Sequence, residues 1–170
     1  MALAQRRIQK ELKNLAENPP AGISLKKADD LKTWHVNIAT DPDGIYGGQV
    51  FEVIAKFPSS YPIEAPEITF AAPVPVHPHI YSNGHICLDI LYQAYSPVLT
   101  ISAICISLQS MLASCKKLER PPDNDSYVRR AGLRRMDVGG FVGKLNVRSW
   151  RKRLTAWCAG LRSLKGDYAA

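Results

Sequence analysis

The 170-residue chain contains no run approaching the roughly 18 uninterrupted apolar residues that a membrane-spanning helix needs, which argues against a helical transmembrane protein. Its opening residues, Met1-Ala2-Leu3-Ala4-Gln5-Arg6-Arg7, lack the apolar stretch of a secretory signal. Cysteine is scarce: Cys87, Cys105, Cys115 and Cys158 lie irregularly, with no Cys-x-x-Cys pair. A disulfide framework is therefore not expected, and the thiols should be reduced, in the cytoplasm or the nucleus. Acidic residues are scarce in one part only. Residues 129–170 carry 2 Asp against 11 Lys/Arg, a net of +9, whereas residues 1–128 carry 13 Asp/Glu against 11 Lys/Arg, a net of −2. The overall charge of +7 thus belongs to the tail, and it gives no reason to expect nucleic acid or a membrane as a partner of the main part of the chain.

With 46% hydrophobic residues the chain can bury one good core and is short for two ordinary domains. We read it as a domain over residues 1–128 followed by a basic tail, 129–170. From Arg6 to Glu17, Ile8, Leu12 and Leu15 recur at steps of four and three, which puts them on one face of a helix that Asn18-Pro19-Pro20 stops. Arg6, Lys10 and Lys13 repeat that spacing two residues out of phase, as a basic stripe that could equally be an ordinary solvated face. After Ile23-Ser24-Leu25, strand alternation appears in Trp34, Val36 and Ile38, in Phe51, Val53, Ala55 and Phe57, and in the short run from Glu67 to Phe70. Short links with turn chemistry, Asp41-Pro42-Asp43-Gly44 and Gly47-Gly48, predict an antiparallel meander.

Between Phe70 and Leu99 the period disappears, and four prolines (Pro73, Pro75, Pro78, Pro97) predict a long ordered loop, of the kind that carries function. Ile101, Ile104, Cys105, Leu108, Met111 and Leu112 then mark the clearest helix, with Thr100 as its N-cap and Cys105 as inert core. In the tail, Trp150, Leu154, Trp157, Leu161 and Leu164 fall at helical spacing among arginines, as a basic amphipathic helix on paper, while Gly132, Gly139, Gly140 and Gly143 weaken packing before it.

The chemistry concentrates in His77-Pro78-His79-Ile80-Tyr81-Ser82-Asn83-Gly84-His85-Ile86-Cys87-Leu88-Asp89. Three readings of Cys87 compete. It could be a small buried hydrophobe, although a loop this rich in polar and turn residues offers no obvious reason for that. Zinc accepts His77, His79, His85 and Cys87 as ligand types, but their spacing fits no common finger or ribbon, and no metal is expected. The third reading is a covalent acyl intermediate on sulfur, which divides a hard transfer into two easier steps. Neither the papain-like nor the caspase-like signature surrounds Cys87.

The ordered set of residues resembles the ubiquitin-conjugating enzymes. The resemblance covers residues 1 to about 128 and rests on several motifs in sequence: the basic first helix ending in Pro19-Pro20, Tyr46-Gly47-Gly48, Phe57-Pro58 followed by Tyr61-Pro62 and Pro66, His77-Pro78 ahead of Asn83-Gly84-His85-Ile86-Cys87-Leu88, Ser96-Pro97, and the long helix. Within the family it is similar to the W-type members, on Val76 to Cys87, Ser107 to Cys115 and Arg120-Pro121-Pro122-Asp123-Asn124. The resemblance implies an α+β fold: an N-terminal helix, a four-stranded antiparallel meander, a long active-site loop, a central helix and a divergent C-terminal tail. It implies that Cys87 accepts the ubiquitin C-terminus from the activating enzyme as a thioester and yields it to protein amines.

Other roles follow from the same resemblance. His79 stands where most relatives carry an Asn whose amide steadies the loop and the developing oxyanion. This implies a preference for N-terminal α-amines, as reported for the W-type. Asp89, Asp123 and Asn124 are the polar candidates beside the acceptor amine, and His85 is read as structural. Arg6, Arg7, Lys10 and Lys13 would meet the activating enzyme. Ile63 and the run Tyr95, Ser96, Pro97, Val98 would meet RING or U-box ligases, although both depart from the common pattern, which has Phe near the first and Trp before Ser-Pro in the second. No bound cofactor is implied, since ATP is used by the activating enzyme. The alternative is a non-catalytic ubiquitin-binding adaptor of the same fold, against which the retained Cys87 stands.

Overall fold

The computed structural model describes residues 3–28 and 30–137. The tail residues from 138 onward, including the proposed helix around Trp150 to Leu164, lie outside the described residues. Helix α1 (Leu3–Glu17) begins earlier than the apolar spacing indicated, buries Ile8 and Leu15, and ends with Asn18 donating to the Asn14 carbonyl (2.8 Å) just ahead of the two prolines.

Four strands follow, β1 (Ile23–Lys27), β2 (Thr33–Ala39), β3 (Val50–Lys56) and β4 (Glu67–Phe70), hydrogen-bonded in the order β1-β2-β3-β4. All three pairings are antiparallel, and β2 and β3 match without a break from Thr33↔Lys56 to Ala39↔Val50. Register follows from the alternation. Trp34, Val36 and Ile38 on β2 and Phe51, Val53 and Ala55 on β3 are all buried, so a slip of one residue would turn this set to solvent. Each large apolar side chain taken out of water this way contributes about 1.5–3 kcal/mol.

Helix α2 (Ile101–Ala113) lies against α1 and β2 and buries Ile101, Ile104, Cys105, Leu108 and Leu112. Thr100 caps it, its hydroxyl oxygen accepting from the Ala103 N–H at 3.2 Å. Burial pushes the Cys105 thiol up to about 12, which keeps it protonated and unreactive.

A buried carboxylate fastens α1 to the rest. Glu11 accepts from the Tyr61 hydroxyl (2.7 Å), from the Ile101 N–H at the start of α2 (2.8 Å) and from the Arg7 guanidinium. Arg7 also reaches the Val98 and Leu99 carbonyls at 3.5 and 3.4 Å. Arg7 is thus committed within the fold. Arg6, Lys10 and Lys13 are exposed, with Lys13 3.8 Å from Glu17.

One element was not expected from the sequence. Helix α3 (Asn124–Asp137) runs straight through position 128, where the charge balance changes. A change in net charge along the chain does not by itself end a helix. The Pro121-Pro122-Asp123-Asn124 start signal was legible, and Gly132 within the helix masked it.

Candidate active site

The stretch from His77 to Cys87 folds into a small hairpin on the end of β4. Ile80 bridges Ile86, the Tyr81 N–H donates to the His85 carbonyl (2.9 Å), and the Cys87 N–H donates to the His79 carbonyl (2.8 Å). The turn holds three residues, Ser82, Asn83 and Gly84. The Gly84 N–H closes back on the Tyr81 carbonyl at 2.9 Å, and Gly84 takes φ +86°. That is the loop in which a glycine with positive φ follows an ordinary turn. Asn83 acts through its side chain, which accepts from the His85 N–H at 3.2 Å. The Phe70 N–H of β4 donates to the Gly84 carbonyl (2.9 Å), and Thr69 bridges His85, so the hairpin is an outgrowth of the sheet.

This pairing sorts the side chains by alternation. Ile80 and Ile86, directly opposed, are fully buried beneath the hairpin. His79, Tyr81, His85 and Cys87 therefore share the other face. Cys87 is half-buried there. On its far side the chain passes into a 3₁₀ turn at Asp89–Leu91, with Asp89 exposed at its first position. The Tyr92 hydroxyl turns back to the Ile86 carbonyl at 2.9 Å and fixes the peptide leading to Cys87.

A buried imidazole and a half-buried guanidinium hold the hairpin. His77, 3% exposed, accepts the His79 N–H on Nδ1 (2.9 Å) and meets the Met111 carbonyl of α2 through Nε2 (3.2 Å). The pair of partners assigns the proton to Nε2. Burial, with a smaller contribution from His79, lowers the His77 pKa to about 4. Arg120 supplies the second tether. Its guanidinium donates to the carbonyls of Pro75 (2.8 Å), Ile80 (3.2 Å) and Val74 (3.1 Å).

His77 predicts an acid sensitivity. An exposed imidazole in the unfolded chain titrates near 6.5, above the folded value, so the unfolded state takes up the extra proton. The stability contribution is complete above about pH 6.5 and is lost as the pH falls toward 4, amounting to about 2 kcal/mol by pH 5. Urea unfolding at pH 7 and pH 5 should show that loss, and His77→Asn should flatten it. An equal pH slope in the two proteins would remove His77 as its source.

Helix α3 closes the face of the hairpin. The Asn124 amide oxygen accepts the Ser82 N–H at 2.8 Å, and Asp123 accepts from the Tyr81 hydroxyl at 3.4 Å. The Tyr127 ring stacks on Tyr81 with centroids 3.8 Å apart and planes 14° apart. Its hydroxyl lies 3.0 Å from His85 Nδ1. Tyr81 is consequently only 3% exposed although it stands on the outer face. Desolvation, then the field of Asp123 and of Cys87, raises the Tyr81 pKa beyond any physiological range, so its hydroxyl stays a donor. His79 keeps an exposed edge beside the His77 ring (centroids 5.5 Å), and partial desolvation lowers its pKa, favouring the neutral imidazole.

Of the residues singled out from the sequence, Cys87 and His79 are therefore neighbours across the hairpin, and Asp123 and Asn124 reach it through Tyr81 and Ser82. Asp89 stands apart at the 3₁₀ turn. Tyr81, Tyr127, Arg120 and the tether role of His77 were missed. Alternation about the Asn83-Gly84 turn could have found Tyr81, since positions 79, 81, 85 and 87 fall on one side. Tyr127 and Arg120 come from over 30 residues away, and no local pattern announces them.

The two exposed loops also have a definite construction. Ile63 and Val98 are 83% and 79% exposed, and the Tyr95 hydroxyl donates to the Pro62 carbonyl (2.9 Å), tying one loop to the other. Ser96 braces the second loop, its carbonyl accepting from the Leu99 N–H at 2.9 Å, and Pro97 is exposed there.

Residues 7–131 match the family model described as ubiquitin-conjugating enzyme. The chain is 46% identical over 127 residues to ubiquitin-conjugating enzyme 15 of Arabidopsis thaliana, covering 75% of this chain and 79% of that one. It is 47% identical over 125 residues to a Dictyostelium discoideum protein named "Probable ubiquitin-conjugating enzyme E2 W", covering 74% and 84%. Among solved structures, the ubiquitin-conjugating enzyme UbcA1 of Agrocybe aegerita superposes with a TM-score of 0.73 at 46% identity, over 76% of this chain and 95% of that one.

Proposed function

The chain belongs to the ubiquitin-conjugating enzyme family, and from that premise we propose that it carries ubiquitin as a thioester on Cys87 and transfers it preferentially to N-terminal α-amino groups. In the first step the Cys87 thiolate attacks the carbonyl of the ubiquitin thioester on the activating enzyme. A carbon–sulfur bond forms at Cys87, and the activating enzyme's thiolate leaves. In the second step a neutral amine adds to the carbonyl, the oxyanion collapses, and the Cys87 thiolate is expelled as an amide forms; the amine's surplus proton passes to solvent. Exchange between similar thiols needs no strong base, which suits a site that must keep water from hydrolysing the ester.

The observation that supports the α-amine preference is the pairing of His79 with Cys87 across the hairpin, the His79 carbonyl receiving the Cys87 N–H at 2.8 Å. A neutral imidazole offers one N–H donor and gives less help to a demanding acceptor than a group with two donors would. An α-amine has a pKa near 8 against about 10.4 for lysine. Near neutral pH its reactive fraction is roughly two hundred times larger, equivalent to about 3 kcal/mol. Asp123, Asn124 and Asp89 are the polar groups we assign to the acceptor's surroundings. Arg6, Lys10 and Lys13 form the exposed surface we assign to the activating enzyme, and the linked loops at Ile63 and at Tyr95 to Val98 the one we assign to ligases.

Incubation with activating enzyme, ATP and ubiquitin should give an adduct that a thiol reductant removes. The isolated adduct, mixed with free lysine or with a peptide whose sole amine is its N-terminus, should discharge at least tenfold faster onto the peptide. Faster discharge onto lysine would refute the preference, and an adduct resistant to reductant would refute the thioester.

A further inference from the structure

We infer that Tyr127 is a specificity-determining residue, an internal plug that occupies the aromatic surface beside Cys87 on which the aliphatic stem of an acceptor lysine would otherwise pack. The inference rests on the α-amine reading and deepens it, since it locates a cause of the preference in α3 as well as in His79.

The reasoning begins with what each acceptor must bring to the thioester. A lysine carries its amine at the end of four methylenes, and that flexible stem loses its rotamer freedom on entering the site. Packing the stem on an apolar surface offsets the loss, each methylene removed from water being favourable. An N-terminal α-amine sits directly on the peptide backbone and has no stem to accommodate. A flat apolar surface next to Cys87 therefore helps lysine and does little for an α-amine.

The hairpin provides one such surface, the ring of Tyr81, on the same face as Cys87 and diagonal to it across the hairpin. In the folded chain that surface is already taken. Tyr127 lies parallel to it, with centroids 3.8 Å apart, so no layer remains between the rings for a methylene chain. The plug is held at three points. Its hydroxyl meets His85 Nδ1 at 3.0 Å, its N–H donates to the Asp123 carbonyl at 2.9 Å, and Asn124 pins the start of α3 to the hairpin through Ser82. A ring anchored in this way does not swing aside at low cost.

The experiment uses the full chain, loaded with ubiquitin and separated from the activating enzyme, in single-turnover discharge onto free lysine and onto the single-amine peptide. Tyr127→Ala should raise the ratio of lysine to peptide rate constants by about fourfold to fifteenfold, the worth of one or two methylenes withdrawn from water. Tyr127→Phe keeps the ring and loses the hydroxyl that meets His85, so it should leave the ratio within about twofold of the parent. Tyr127→Leu serves as the second uncovering variant if the alanine protein does not fold, and should move the ratio in the same direction. A ratio unchanged in Tyr127→Ala and Tyr127→Leu overturns the plug, as does an equal rise in Tyr127→Phe. These results differ from a failure of the underlying reading, which would show in the parent protein as faster discharge onto lysine.

Discussion

Replacing Cys87 by serine is expected to abolish the reductant-labile adduct and to leave, after long incubation, only an adduct that thiols do not remove and mild alkali does. Sulfur is the far better nucleophile near neutral pH, where a serine hydroxyl supplies essentially no alkoxide, so loading should slow by orders of magnitude. The second step suffers as well. Expelling an alkoxide from the tetrahedral intermediate is much harder than expelling a thiolate, so discharge onto any amine should fall at least about a hundredfold. Gels run with and without reductant, and with alkali, measure both effects. Among the described residues the other thiols are poor substitutes, Cys105 being buried and held protonated and Cys115 donating to the Lys117 carbonyl at 3.2 Å. A Cys87→Ser protein that still gave a thiol-labile adduct at the parental rate would move the carrier to another cysteine.

Gly84→Ala should be the most damaging single methyl group that can be added near the site. Gly84 has φ +86°, a conformation that costs an L-residue about 1 kcal/mol or more. A Cβ there would also stand 2.1 Å from the Phe70 carbonyl oxygen, which belongs to β4 backbone and has no rotamer to yield. Either β4 or the hairpin must move, and the bond from Phe70 to the Gly84 carbonyl is lost with it. We expect a loss of at least about 3 kcal/mol, hence a Tm lower by roughly 10 °C or more for a domain of this size, together with at least about tenfold slower loading at temperatures where the protein is folded. Gly47 provides the comparison: it too has positive φ (+57°), but a Cβ there meets nothing within 4 Å, so Gly47→Ala should cost only the conformational strain. Equal melting temperatures for the two variants would refute a cost from the contact with Phe70.

Most of the scaffold was legible because it is periodic. The alternation of Trp34, Val36 and Ile38 against Phe51, Val53 and Ala55 indicated two paired strands. The spacing from Ile101 to Leu112, with Thr100 before it, indicated a capped helix, and both are as observed. Cys87 was legible because a thiol among turn residues has little structural reason to be there. What the sequence could not supply were contacts made across distance. The stack of Tyr127 on Tyr81 joins residues 46 positions apart in the chain, and the hold of Arg120 on Val74, Pro75 and Ile80 spans 40 to 46. Neither obeys a period of 2 or 3.6, so neither leaves a local trace. Arg7, which the resemblance grouped with Arg6, Lys10 and Lys13, differs from them in being held by Glu11, one turn later.

The clamp of Arg120 has a consequence for the conditions under which the site keeps its shape. All three of its partners are peptide carbonyls, which do not titrate, and desolvation lowers the guanidinium pKa without bringing it near the physiological range. A latch made from a carboxylate would open in acid. This one has nothing to protonate, and because its acceptors are dipoles rather than ions it carries no counter-charge for salt to screen. Acid therefore acts on the hairpin through the His77 tether alone of these two, so acidification should loosen the contacts of His77 with Met111 and His79 while the carbonyls of Pro75 and Ile80 on either side of it stay latched to Arg120.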